Sequence, residues 1–282
     1  MSLSNVGMDM VTLAGPLEAR LQAVAEAGFS NIVLWGKDLV GHPEGVEAAI
    51  RKVRESGLRV SGLQLLRDFE GLSGRLLDYK LEIAKSMMKM MQALGCKLLL
   101  VCSSTSPHAT GDIKKIAEDL ERLATLATPL GVRMGYEALS WGRWVNEYPA
   151  AWKVVERVDR ENVGLVVDSF HILARGTPLK HLDDISAKKI FLVQLSDYLW
   201  DYLPETDDII ETARHHRVFP GEGSHSATVI ELVQRLSKTG YGGDYLLEVF
   251  NDDYLQCPLP TVTARASQAV EWLNEQVSRS SG

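Results

Sequence analysis

Residues 163–171 read Val-Gly-Leu-Val-Val-Asp-Ser-Phe-His, an uninterrupted apolar run that stops at a single carboxylate. A short run of this kind, rich in β-branched residues, reads as a strand buried on both faces, which belongs in a parallel sheet covered by helices. Three more stretches repeat the pattern: VRMGYEAL (132–139) with Glu137, IFLVQLSD (190–197) with Gln194, and YLLEVFND (245–252) with Glu248. An isolated carboxylate or amide inside such a run is costly to bury unless it is paired, hydrogen-bonded or bound to a metal. Each of these four strands carries one.

The β-then-α alternation extends outward from these strands over the whole chain. Strands are expected near Val6–Leu13, Ile32–Trp35, Arg59–Leu65, Lys97–Ser103, Val132–Leu139, Val163–Ser169, Ile190–Ser196 and Tyr245–Phe250. Gly28, Gly57 and Gly95 end the first three helices, the third being the amphipathic stretch Leu76–Leu94. Further helices are expected over Ile113–Leu126, Trp152–Val158 and Ala264–Val277. Eight βα units fit a (β/α)8 TIM barrel, read as a single domain over residues 1–282. The alternative is a doubly wound sheet, which would normally have fewer strands and a phosphate-binding glycine fingerprint; no GxGxxG follows the first strand. Only one connection is long, and the aperiodic segment of about 198–226 is expected to be an active-site loop.

In a barrel every second strand residue points inward, and functional groups sit at the C-terminal strand ends. Glu137, Asp168, Gln194 and Glu248 occupy such ends. Each taken alone is equally an ordinary solvated or salt-bridged polar residue, but four on consecutive strands point to a common purpose. Three carboxylates at one place repel, and a divalent cation keeps such a cluster ionised. An all-oxygen ligand set favours a hard ion, so one divalent metal is expected, magnesium or manganese first, with cobalt and zinc as alternatives.

His171, three residues beyond Asp168, would project over that site as a proton-transfer group, or else be a histidine satisfied within the loop. Arg67, after the third strand in LQLLRDFEG, is placed to grip a carboxylate or phosphate, with an ion pair to Asp68 or Glu70 as the competing account. His215 and His216, flanked by Arg214 and Arg217, read equally well as a solvated basic face. Trp35, Trp141, Trp144 and Trp200 follow strand ends, as pocket walls or as packing beneath loops.

Composition narrows the partners. The chain has 45% hydrophobic and 24% charged residues, enough for a core, and a formal charge of −7, which argues against a nucleic-acid phosphate binder. No run suits a membrane helix and no signal-peptide pattern opens the chain, so the cytoplasm is the expected location. Cys96, Cys102 and Cys257 form no CxxC pair and are expected to be reduced, structural thiols. Met1-Ser2-Leu3 and the closing Ser-Arg-Ser-Ser-Gly are given no role in the fold. The oligomeric state is not legible.

The segments LQLLRDFEG, YEALSWGRWVNEY, VVDSFHILARG, FLVQLSD, HHRVFPGEG and LEVFND resemble the xylose isomerase-like TIM-barrel superfamily, and within it the bacterial 3-dehydroshikimate dehydratases. The acidic residues of the fifth, sixth and eighth strands are common across the superfamily. The glutamine of the seventh, with RDFEG and RVFPGEG, is closer to the dehydratases than to the epimerases. The resemblance implies Glu137, Asp168, Gln194 and Glu248 as metal ligands, His171 as acid/base and substrate-binding group, and Arg67 and Arg217 as substrate-binding groups. It implies dehydration of 3-dehydroshikimate to protocatechuate through a metal-stabilised enediolate. The alternative within the family is a sugar or cyclitol isomerase or epimerase, with Glu137 and Glu248 as its acid/base pair. VLWGKD, after the second strand, departs from the acidic residue that similar dehydratases tend to carry near Trp35 and Gly36. Some relatives carry a dioxygenase-like second domain; these residues are read as the barrel alone.

Overall fold

A computed structural model of the chain describes Leu3 and residues 5–279. Eight parallel strands close on themselves in sequence order: β1 (Val6–Asp9), β2 (Asn31–Trp35), β3 (Arg59–Leu66), β4 (Leu98–Cys102), β5 (Arg133–Glu137), β6 (Val163–Asp168), β7 (Ile190–Leu195) and β8 (Tyr245–Leu247). Val6 to Met8 pair with Tyr245 to Leu247, so β1 meets β8 and no sheet edge is left. The expected (β/α)8 barrel is the observed fold, and it leaves no place for a doubly wound sheet.

Packing follows from strand alternation. Outward residues such as Leu99, Val101, Leu165, Val167, Val193 and Leu247 join the large core shared with the helices. Inward residues Val33, Leu98, Leu100, Val166, Leu192 and Leu246 form a separate cluster within the barrel, together with Phe191. Large and small residues alternate in this inner layer from β2 to β6, where Leu100 pairs with Gly135 and Val33 with Gly62. A Cβ on Gly62 would lie 2.6 Å from Leu100 Cδ1, and one on Gly135 2.5 Å from Val166 Cγ2, so the narrow interior requires glycine at both.

Two residues above that layer, the inward position of each strand gives a ring of Asp9, Trp35, Gln64, Cys102, Glu137, Asp168, Gln194 and Glu248. The ring climbs with the barrel's shear. Cys102 pairs with Glu137, but Glu137 pairs with Val166, which brings Asp168 to the ring two residues later. Asp168 then pairs with Gln194, and Gln194 with Leu246, so Glu248 enters just past β8.

Several expected boundaries shift. The first strand ends at Asp9 rather than Leu13, because the Asp9 carboxylate accepts from Val11 N (2.9 Å) and caps a 3-10 turn over Met10–Thr12. Within the expected loop 198–226 lies a helix, Thr206–His215, which buries Ile209, Thr212 and Ala213. Only three buried residues mark its inner face, too few to show a helical period in the sequence. The helix expected at Trp152–Val158 starts at Tyr148, and the last one spans Leu259–Arg279 with Pro260 in its first turn, where a missing N–H costs little. Leu3 packs on the core and its N–H donates to Asn274 Oδ1 (2.6 Å), and Arg279 is helical, so the ends expected to be idle contribute to the fold at these points. Met1, Ser2 and Ser280 to Gly282, named in the same expectation, lie outside the described residues.

Candidate metal centre and substrate pocket

Asp168 ends β6 and also caps the helix Ser169–Arg175, its Oδ1 accepting from Phe170 N (2.8 Å). That cap leaves Oδ2 to Arg217 Nη1 and places His171 one turn on, on the same side. His171 Nε2 lies 3.5 Å from Asp168 Oδ2 and 3.6 Å from Glu137 Oε1, all three side chains being buried. Ligand atoms of Glu137, Asp168 and His171 converge within 4.8 Å of one another, a spacing suited to a divalent ion.

Glu248 and Gln194 join this cluster from the far side. Glu248 Oε1 accepts from Gln194 Nε2 (2.8 Å) and Gln64 Nε2 (3.1 Å). Gln194 Oε1 is buried and has no hydrogen-bond partner among the described residues, an orphaned acceptor of the kind a cation would satisfy. Arg217 Nη1 bridges Asp168 Oδ2 (2.8 Å) and Glu248 Oε2 (3.1 Å), while its Nε donates to Ala213 O (2.9 Å) and its plane lies between Phe170 and Phe250. The guanidinium is therefore a buried counter-charge to the carboxylates, not an open group at the mouth.

Charge at the site is only partly compensated. Burial first, then the neighbouring Glu248 and Asp168, hold the Glu137 carboxyl well above the usual carboxylate range. Burial raises Glu248 to about 7, against the pull of Arg217. Carboxyls that resist ionisation for want of positive charge are groups a divalent ion would ionise, so the residues present fit a metal. The donors available are oxygens from Glu137, Asp168, Gln194 and Glu248, with the His171 imidazole alongside.

His171 is held at its other nitrogen. Ser140 N donates to Nδ1 (3.1 Å), and Ser140 Oγ lies 2.9 Å from the same atom. Burial lowers its pKa to about 4, so the ring is neutral at ordinary pH. Above the cluster opens a cavity of about 280 Å³, lined by Trp35, Lys37, Gln64, Leu65, Arg67, Cys102, Glu137, Leu139, Trp141, His171, Ala213, Arg214, Arg217, Glu248 and Phe250. Arg67 is at its rim and pairs with neither Asp68 nor Glu70. Asp68 accepts from Thr105 N (2.7 Å), and Glu70 from Ser104 N (2.5 Å) and Tyr136 O–H (3.0 Å).

Of the four tryptophans singled out in the sequence, Trp35 and Trp141 are pocket walls. Trp144 packs over Gly111, and Trp200 lies against His216. His215 and His216 face Asp252 and Glu211 at the surface, outside the cavity, whereas Arg214 lines it.

Three groups of the ring, and one at the rim, escaped the sequence reading as site residues. Asp9, Gln64 and Cys102 are buried, and Cys102 is more than a core thiol, since its S–H donates to Glu137 Oε2 (3.0 Å). Lys37, at the start of the short helix Gly36–Val40, supplies a further rim cation. A signal existed for two of them. Asp9 in VGMD and Gln64 in SGLQ follow the rule that revealed Glu137, a lone polar residue closing an inward-facing series.

Fold and site together define a (β/α)8 barrel with a buried carboxylate cluster at its C-terminal mouth. A family model described as xylose isomerase-like TIM barrel matches residues 21–276, and the chain belongs to that family. It is 36% identical over 267 residues to a 3-dehydroshikimate dehydratase of Pseudomonas aeruginosa, covering 94% of this chain and 41% of that protein. The chain thus spans about two fifths of the length of that relative. An inosose isomerase of Bacillus subtilis is 31% identical over 180 residues, 60% of each chain. Among solved structures, a xylose isomerase-like TIM barrel/4-hydroxyphenylpyruvate dioxygenase fusion protein superposes with a TM-score of 0.90 at 33% identity, covering 98% of this chain and 44% of that one.

Proposed function

We propose that the chain is a metal-dependent hydro-lyase that converts 3-dehydroshikimate to protocatechuate. The observation that carries this reading is one pocket with two opposite charge zones. Its floor is Glu137, Glu248 and His171, with Asp168 buried against them, and its rim holds Lys37, Arg67 and Arg214, none ion-paired among the described residues. In a protein of net charge −7, an unpaired cationic rim over a buried acidic floor suits a small anion whose other end meets a metal. Similarity to a 3-dehydroshikimate dehydratase over 94% of the chain supports the same reading.

A divalent ion bound by Glu137, Asp168, Gln194 and Glu248 would act as a Lewis acid toward the ketone and acidify the adjacent C–H. With Nδ1 carrying the ring hydrogen, donating it to Ser140 Oγ and giving up the hydrogen bond it accepts from Ser140 N, Nε2 is free and His171 there takes the proton α to the ketone. The same proton passes to the β-hydroxyl as the C–O bond breaks, so one water leaves and a ring double bond forms. A further proton shift from ring carbon to ketone oxygen completes the aromatic catechol. Arg67 and Lys37 hold the carboxylate, and Trp35 and Trp141 sandwich the flat ring. Arg217 keeps Asp168 and Glu248 in place, and if it also touches substrate it does so from within that bridge.

The oxygen donors favour magnesium or manganese over cobalt or zinc. The substrate is a small molecule. A cytoplasmic location is supported by three free cysteines; no helix among the described residues is long and apolar enough to cross a membrane. The test is to incubate Mn²⁺-loaded protein with 3-dehydroshikimate and follow the aromatic absorbance of protocatechuate, beside a panel of inososes and free ketoses. Epimerisation or isomerisation of a panel member without aromatic product would replace the dehydratase reading with the isomerase one.

A further inference from the structure

The half of the ring on β1 to β3 is wired into the half on β7 and β8 by two side-chain amides. Gln64 Nε2 donates to Asp9 Oδ2 in a very short hydrogen bond and to Glu248 Oε1 at 3.1 Å. Its oxygen is thereby turned the other way and accepts from Gln194 Nε2 at 3.5 Å. Gln194 Nε2 also donates to Glu248 Oε1 (2.8 Å), which leaves Gln194 Oε1 as the buried atom without a partner. An amide can turn over and exchange its donor for its acceptor, and nothing in the two glutamines themselves fixes which end faces a cation. Glu248 and Asp9 fix it together: Glu248 Oε1 accepts from both amides, and the other Gln64 amide hydrogen goes to Asp9. Asp9 Oδ1 is already occupied by Val11 N (2.9 Å) and Trp35 Nε1 (3.0 Å), so Oδ2 remains for Gln64.

We infer that Asp9 is a positioning residue that, together with Glu248, sets the polarity of the Gln64–Gln194 amide pair, so that Gln194 offers oxygen rather than nitrogen to the metal. Asp9 is fully buried and absent from the pocket lining, so it acts only through the two amides and through Trp35, a pocket wall. The inference rests on the reading of Gln194 and Glu248 as metal-site groups.

Asp9→Asn keeps the shape and removes the constraint at this position, since its amide can donate to the Gln64 oxygen and turn the chain over. With Gln64 reversed, its oxygen faces the Glu248 carboxylate and Gln194 loses its fixed sense. Titration of metal-free protein with Mn²⁺ should show an affinity loss of about tenfold, the usual cost of disturbing an outer partner of a metal ligand. Gln64→Leu should give a similar loss, and the double variant no more than either alone, because both break one chain. Unchanged Mn²⁺ affinity in Asp9→Asn, or losses that add in the double variant, would overturn the inference. Should Asp9→Asn not fold, Asp9→Ser enters the same cycle. A second reading needs no metal: the Gln64 side-chain amide and Trp35 indole protons, followed by NMR, should lie downfield in the parent protein and move upfield in the variant. Absence of that shift also counts against the relay, whereas a parent protein that takes up no Mn²⁺ but shows the shift would sink only the metal reading.

Discussion

His171 and Ser140 show how much one hydrogen bond decides. The Ser140 N–H favours the tautomer with the proton on Nε2, and Ser140 Oγ, 2.9 Å from Nδ1, is the only group described there that can accept from Nδ1–H and free Nε2 to act as a base. His171→Ala should retain Mn²⁺ while losing roughly 10² to 10⁴ in kcat, the span usual for an acid/base group. Loss of metal together with activity would move His171 to coordination. Ser140→Ala leaves the backbone donor and removes the acceptor, so kcat should fall by about tenfold or more with KM little changed. An unaltered kcat would remove His171 from base catalysis. Sequence reading reached His171 from its place after Asp168, but Ser140 lies 31 residues away and no pattern connects the two.

The connection after β3 is pinned to its neighbours by a carboxyl buried at a cost. Glu70 accepts from Ser104 N just beyond β4 and from the Tyr136 hydroxyl of β5, and its Oε2 has no partner among the described residues. Burial outweighs these donors and raises its pKa to about 7. The folded state therefore holds this proton more tightly than the unfolded chain does. The associated stability is fully present below about pH 4.5 and is lost as pH rises through 7. A shift of this size corresponds to about 3 kcal/mol. Glu70→Gln should thus gain about 2–3 kcal/mol relative to the parent between pH 5 and pH 8, read from urea midpoints with the metal removed from both proteins. A pH-independent difference would mean that Glu70 is ionised in the fold. At this scale the sequence located every strand, because barrel strands are short apolar runs. It missed the helix Thr206–His215, whose end carries Arg214 to the pocket and leads into Arg217, because its packing face is so small.

Across the whole molecule, the ring joins eight strands that are far apart in sequence, so a cation bound there ties the barrel's mouth together. Metal removal with EDTA should abolish turnover and lower the melting temperature by several degrees, since saturation at a hundredfold excess over Kd is worth about 2.7 kcal/mol. Full activity in metal-free protein would overturn the metal reading, and an unchanged melting temperature would show that nothing was bound. The sequence by itself determined the barrel, through eight apolar runs alternating with helices, and exposed Glu137, Asp168, Gln194 and Glu248, because a polar residue that interrupts an apolar series stands out locally. Only the tertiary structure decided what surrounds them. The shear of the closed sheet brings Asp9, Gln64 and Cys102 level with those four, sets Arg217 between two carboxylates instead of at the rim, and leaves Lys37, Arg67 and Arg214 facing the pocket. Those relations depend on register across strands and on three-dimensional closure, which pairwise patterns along one chain do not encode.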